Sequence, residues 1–140
     1  MQGLYFEDLS IGQTAELTRT ADDAAIRAFA AVSGDDNPLH LDDAFAAASS
    51  FGGRVAHGML IGAYVSALIA GRLPGPGSVY LRQTLRFRRP VRVGDEVTAR
   101  VTISALDAAT GHVTMRTLCT VRGKTVVDGE AVIMAPRRPA

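Results

Sequence analysis

The stretch Phe29-Ala-Ala-Val-Ser-Gly-Asp35-Asp36-Asn37-Pro38-Leu39-His40 carries the residue types and spacing that could do chemistry in this 140-residue sequence. Gly34 is a natural stop for a preceding helix. Asn37-Pro38 can open the next one, with Asn37 as its cap and Pro38 at the first helical position. Proline also drives Asn37 out of the helical region, so the chain bends between the two helices. Asp35 and His40 therefore flank one tight turn, where their side chains can converge. His40 falls in the first turn of the new helix, whose positive end disfavours an imidazolium. A neutral imidazole beside a carboxylate is suited to gripping and deprotonating one water. The plainer alternative stays open at this level: Asp35 capping a turn, His40 a satisfied polar loop residue, in a short motif that recurs by chance. Asp36 competes for the carboxylate role and is read as solvated.

The elements around this turn follow from periodicity. Gln13 to Thr20 alternates as a strand, with Ala15 and Leu17 on one face. Thr20 offers an N-cap, and Asp22 and Asp23 suit a first helical turn. Ile26, Phe29, Ala30 and Ser33 continue at helical spacing up to Gly34. Asp42 to Ser49 is alanine-rich and reads as a short helix, and Phe51 to Arg54 as a loop. Gly58 to Gly71 is apolar on every side, which predicts a buried helix. Its fourteen residues fall short of the ~20 needed to span a bilayer. Gly58, Gly62, Ser66 and Ala70 give it one slim face for close packing. After the turn Pro74-Gly75-Pro76-Gly77, alternation predicts strands over Val79–Arg88, Glu96–Ala105, Val113–Arg122 and Thr125–Met134, with a hairpin turn near Gly123-Lys124. Such alternation fits an antiparallel sheet. The fold class expected is α+β, a curled antiparallel sheet wrapped around one long central helix.

Composition bounds the function. A length of 140 residues is one domain, spanning 1–140. Hydrophobic residues make up 47% and charged residues 21%, which excludes a disordered chain. One cysteine, Cys119, excludes a disulfide framework and a cysteine-ligated metal site, and is expected to be inert core. Glu7 and Asp8 interrupt any signal-like leader, so a cytoplasmic protein is expected. The net charge of +1 hides a division, −6 over residues 1–57 and +7 over residues 58–140. A basic half could meet nucleic acid or the phosphates of a nucleotide-bearing small molecule.

Phe29 to Ala46 resembles the hydratase 2 signature: an aromatic, two spacers, an aliphatic, a small residue, Gly-Asp-x-Asn-Pro-aliphatic-His, five spacers and a small residue. His57-Gly58-Met59 and Phe87-Arg88-Arg89-Pro90-Val91-Arg92-Val93-Gly94-Asp95 extend the likeness to nearly the whole chain. The chain is similar to the MaoC-like dehydratase family, above all its short (R)-specific enoyl-CoA hydratases. That resemblance implies the hot dog fold and syn addition of water across the C2–C3 double bond of an enoyl-CoA thioester, giving the (3R)-hydroxyacyl product. It implies catalytic roles for Asp35 and His40, and an oxyanion role for the Gly58 amide. It places Asn37 at the substrate, and lines the acyl pocket with Ser66, Ile69 and Val132. Arg86, which shares a strand face with Arg82 and Arg88, is a candidate contact for coenzyme A phosphate, against the alternative of a solvated sheet face. His57 is expected to position the turn before Gly58, and His112 to lie on the surface. No cofactor, metal, nucleic acid or membrane is implied, and a homodimer is.

Three rival functions are distinguishable. A (3R)-hydroxyacyl dehydratase acting on an acyl carrier protein uses the same site in reverse. A hot dog thioesterase usually keeps a carboxylate on or beside the central helix, and residues 58–71 contain no Asp or Glu. A non-catalytic partner subunit or nucleic-acid binder has no need to keep Asp35, Asn37 and His40 together, and a nucleic-acid binder would lose affinity steeply with salt.

Overall fold

The computed structural model describes residues 2–140. After a 3-10 turn at Phe6–Asp8 come strand β1 (Thr14–Ala21), helices α1 (Asp23–Ser33), α2 (Pro38–Leu41), α3 (Asp43–Ala47) and α4 (Gly58–Gly71), then strands β2 (Val79–Phe87), β3 (Asp95–Asp107), β4 (His112–Val121) and β5 (Lys124–Met134). The strands form one antiparallel sheet in the order β1-β3-β4-β5-β2. Pairings Leu17↔Ala99, Ala99↔Cys119 and Cys119↔Val127 set one inward row across four strands. Val97, Val101, Ile103, Val113, Met115, Ala131 and Ile133 extend that inner face, all of them buried. Against it α4 lays Leu60, Ile61, Val65, Leu68 and Ile69. These contacts are the core, and α4 has the bounds that its bracketing glycines predict.

Several local expectations need correction. Helix α1 is capped by Asp22, whose carboxylate accepts the Ala25 amide at 2.8 Å, and not by Thr20. Strand β1 runs on to Ala21, paired with Asp95, and so carries the cap two residues further. The last hairpin turns on Arg122 and Gly123, both at positive φ (49° and 75°), as a two-residue turn requires, and Lys124 already belongs to β5.

Alternation in β2 does not bury one of its faces. β2 pairs only with β5, with an irregularity between Tyr80 and Arg82, and leaves Val79, Leu81 and Phe87 about half exposed (48%, 45% and 55%). The sheet curls along one side of α4, as expected, and within one chain it leaves Met59, Ala63, Ser66, Ala67 and Ala70 exposed. The first half of the slim face explains its own residues. A β-carbon on Gly58 would come within 2.5 Å of the Phe87 ring, and one on Gly62 within 2.9 Å of Leu85, so side chains of β2 press onto the helix there. Ser66 and Ala70, the second half, are bare.

Candidate active site

The Asp35 turn is built by local rules. Gly34 takes the left-handed conformation (φ 79°) and its amide closes α1 on the Ala30 carbonyl at 2.9 Å. The Ser33 hydroxyl donates to the Phe29 carbonyl and accepts the Asp35 amide at 3.1 Å. Asn37 spends its side-chain oxygen on the Leu39 amide at 3.0 Å, and Pro38 opens α2 behind it. Asp35 is left on the outside of the bend and His40 one helical turn later, half-buried.

Long-range bonds then fix the imidazole. His40 Nδ1 lies 2.7 Å from the Val55 carbonyl, which can only accept, so Nδ1 carries the proton and Nε2 keeps its lone pair. Arg54 Nε donates to the His40 carbonyl at 2.6 Å, and Arg54 Nη2 to Asp23 on α1. This guanidinium holds the Asp23 carboxyl below the ordinary carboxylate value, with a smaller share from Arg27. The Val55 amide returns to Leu39, and Ala56 to Val91 on the β2–β3 connection. Residues 54–57 are thereby strapped between α2 and the sheet, and they deliver His57 and Gly58 to the start of α4.

Asp35, His40, His57 and Gly58 border one cavity of about 510 Å³, whose apolar walls include Leu39, Phe51, Ile61, Phe87 and Val91, with Arg88 and Arg89 at its margin. A carboxylate oxygen of Asp35 and one ring nitrogen each of His40 and His57 lie within 4.8 Å of one another. Among the described residues this trio is also the one set of donors spaced for a divalent cation. Gly58 is the first residue of α4, so its amide has no acceptor within the helix, and the His57 side chain does not cap that end. The arrangement can hold a water between a carboxylate and a base nitrogen, and can offer an amide at a positive helix end to a developing oxyanion.

The remaining site expectations are placed elsewhere. Asn37 is a helix cap and does not border the cavity. Ser66 sits two turns along α4 on its exposed face, and Ile69, 1% exposed, is core. Val132 is corrected to the outer face: its neighbours Ala131 and Ile133 face inward, and it pairs with Thr114 and Arg82. Arg86 lies on the outer face, in a depression of about 780 Å³ with Arg100 and Arg116, which is the sheet face given as its alternative reading. Neighbours there are paired, Arg88 with Asp128 at 3.1 Å and Arg100 with Glu16 at 3.2 Å, so that face is largely a cross-strand ion-pair ladder. Cys119 is buried and free in the core, as expected, its thiol pushed up to about 12 by burial. His112 begins β4 beside the 108–111 turn. Sequence reasoning missed Arg54 and the stacking partner of His40, both of which depend on contacts across more than a dozen residues.

A curled antiparallel sheet laid along one long helix defines the hot dog class of fold, and here an aspartate-histidine turn stands beside the start of that helix. Residues 8–125 match the MaoC like domain family, and the chain belongs to it. It is 48% identical over 134 residues to the (R)-specific enoyl-CoA hydratase of Rhodospirillum rubrum, covering 96% of this chain and 93% of that protein. It is 47% identical over 131 residues to the (R)-specific enoyl-CoA hydratase of Aeromonas caviae, covering 93% of this chain and 98% of that one. Among solved structures, the R-hydratase PhaJ1 of Pseudomonas aeruginosa in its unliganded form superposes with a TM-score of 0.92 at 48% identity, over 97% of this chain and 88% of that one.

Proposed function

We propose that this chain is a hydro-lyase that adds water across the C2–C3 double bond of trans-2-enoyl-CoA to give (3R)-hydroxyacyl-CoA. The observation that carries the reading is the pairing of the Asp35 carboxylate with a histidine whose tautomer is fixed. The bond from His40 Nδ1 to Val55 leaves Nε2 as a base, in the same cavity as the first amide of α4. The relatives of closely matching length carry the same activity in their names.

In the forward direction one water sits between Asp35 and His40. Its oxygen attacks C3 as the pair takes up one of its protons. The electron pair of the double bond moves through C2 onto the thioester oxygen, where the Gly58 amide stabilises it. The pair then returns a proton to C2 from the same side, so addition is syn and the proton count balances. Asp35 and His40 act as one coupled unit.

The homodimer belongs to the same proposal. β2 leaves an unpaired edge with half-exposed Val79, Leu81 and Phe87, beside the bare face of α4. Such an edge favours pairing with a second copy, which would enclose Ser66 and cover the side of the cavity next to Met59 and Phe87. Ser66 keeps its candidate acyl-pocket role only in that assembly. The single reduced cysteine suits the cytoplasm. The chain is read as one domain.

The test is loss of the enoyl-thioester absorbance with short and medium enoyl-CoAs, followed by chiral analysis of the product. A (3R) product is expected. Release of free thiol faster than hydration would overturn the reading in favour of a thioesterase. A strong preference for carrier-protein thioesters would move it to the dehydratase of fatty acid synthesis.

A further inference from the structure

His57 is the most deeply buried ionisable side chain bordering the cavity, at 1% exposure, and the hydration mechanism above gives it no task. It stands at the N-cap position of α4 yet does not cap the helix. Its ring turns instead toward the Asp35 bend, where Nε2 lies 2.9 Å from the Asp35 main-chain carbonyl. One face stacks on the His40 ring, with centroids 3.8 Å apart and planes 29° from parallel. The Phe29 ring meets it edge-on at 4.8 Å. Nδ1 is buried with no hydrogen-bond partner. A leucine would fill this space without burying an unpartnered nitrogen, so packing alone does not account for a histidine here.

The bonds fix the state of the ring. The Asp35 carbonyl only accepts, so Nε2 carries the proton. A second proton on Nδ1 would be a buried donor without an acceptor, on a cation facing His40. The ring is therefore the neutral Nε2–H tautomer. One neutral imidazole thus touches both halves of the catalytic pair: it bonds the backbone of Asp35 and lies flat against His40. Whenever the proton taken up by the pair rests on His40, that ring is an imidazolium in a partly desolvated cleft. A neutral aromatic face beside it is attractive, whereas a second cation at that separation would repel it.

We propose that His57 is a positioning residue for hydration, which holds the Asp35 turn through its Nε2–H and supports the orientation and charge of His40 through the stack. The proposal rests on the hydratase reading, and it goes beyond it by assigning a residue to which the hydration steps give no task.

The test compares wild type with H57Q, which keeps a donor for the Asp35 carbonyl, H57F, which keeps a ring for the stack, and H57L, which keeps neither. Each is assayed on a short enoyl-CoA, melted thermally, and examined by ring-¹⁵N spectra of His40. In H57L kcat is expected to fall about 10²-fold with KM changed less than about 2-fold, the scale of a small misplacement of reacting groups. H57Q and H57F should each recover part of that loss. The His40 ring should be the Nδ1–H tautomer in wild type and a mixture in H57L. Wild-type kcat in folded H57L overturns the proposal. So does a loss of activity that merely follows the loss of folded protein in all three variants, with the His40 spectrum unchanged. A wild type that does not hydrate enoyl-CoA defeats the hydratase reading instead, and the His40 spectra still decide the positioning role.

Discussion

Among the depressions that the described residues form, two contrast sharply, and of these the smaller is the one organised for chemistry. The outer one, about 780 Å³, gathers Arg86, Arg88, Arg100 and Arg116 on a sheet face. Its arginines are exposed, and those that find partners meet cross-strand carboxylates at the surface, where such pairs contribute little. The inner one, about 510 Å³, holds one carboxylate and two imidazoles, with Arg88 and Arg89 at its margin. There each histidine has one ring nitrogen committed to a main-chain carbonyl, at 2.7 and 2.9 Å, so its tautomer and direction are set before any ligand arrives. Fixed orientation, more than charge or volume, separates a reaction site from a solvated face.

Substitutions can break or sharpen that contrast. The largest effect is expected inside: Asp35→Asn and His40→Ala should each lower kcat about 10²–10⁴-fold while thermal melting stays near wild type, because Asp35 is exposed and His40 half-buried. Hydration surviving either change would dissolve the contrast. Gly58→Ala comes next. Its methyl would collide with the Phe87 ring, displacing the α4 start, and a loss of about 10–10²-fold in kcat/KM is expected. Adding Phe87→Ala should restore part of it, measured on the same enoyl-CoA.

On the outer face, Arg86→Ala combined with Arg116→Ala should change kcat/KM by less than about 2-fold and stability by less than about 0.5 kcal/mol by urea unfolding. A large rise in KM for the CoA thioester would give that face a ligand after all. The smallest effect belongs to Asp23, whose carboxyl is held below its ordinary value of 3.8 by Arg54 and then Arg27. A lowered folded value means the stabilisation is present above 3.8 and lost as pH falls through the folded value. Wild type should therefore melt slightly above Asp23→Asn at neutral pH, and the gap should close on acidification. A gap that persists in strong acid would assign the bond with Arg54 no electrostatic part.

Sequence legibility followed range along the chain. The Gly34–His40 bend was readable because its cap, proline and glycine act over a few residues, and the Asp35–His40 pair came with it. The bounds of α4 were readable from an unbroken apolar run between glycines. Val132, which the resemblance placed at the acyl pocket, lies on the outer face for another reason, whereas Arg86 keeps the strand face it shares with Arg88. Side chains in strands alternate, and which half of β5 or β2 faces inward depends on pairing register, which a shift of one residue reverses. The irregularity between Tyr80 and Arg82 in β2 is such a break in phase. The N-cap of α1 was misplaced because pairing of Ala21 with Asp95 extends β1 past Thr20.

The sequence by itself determined the strand and helix inventory, the bend that presents Asp35 and His40, and the slim start of the central helix, since each is encoded by neighbours three to five positions apart. Tertiary structure alone decided which way His40 points, through Val55, fifteen residues away, and what lies beneath it, through His57. It also decided that one sheet covers a single side of α4. Those outcomes depend on contacts between distant segments, whose formation is set by packing of the whole sheet on the helix and by no local preference.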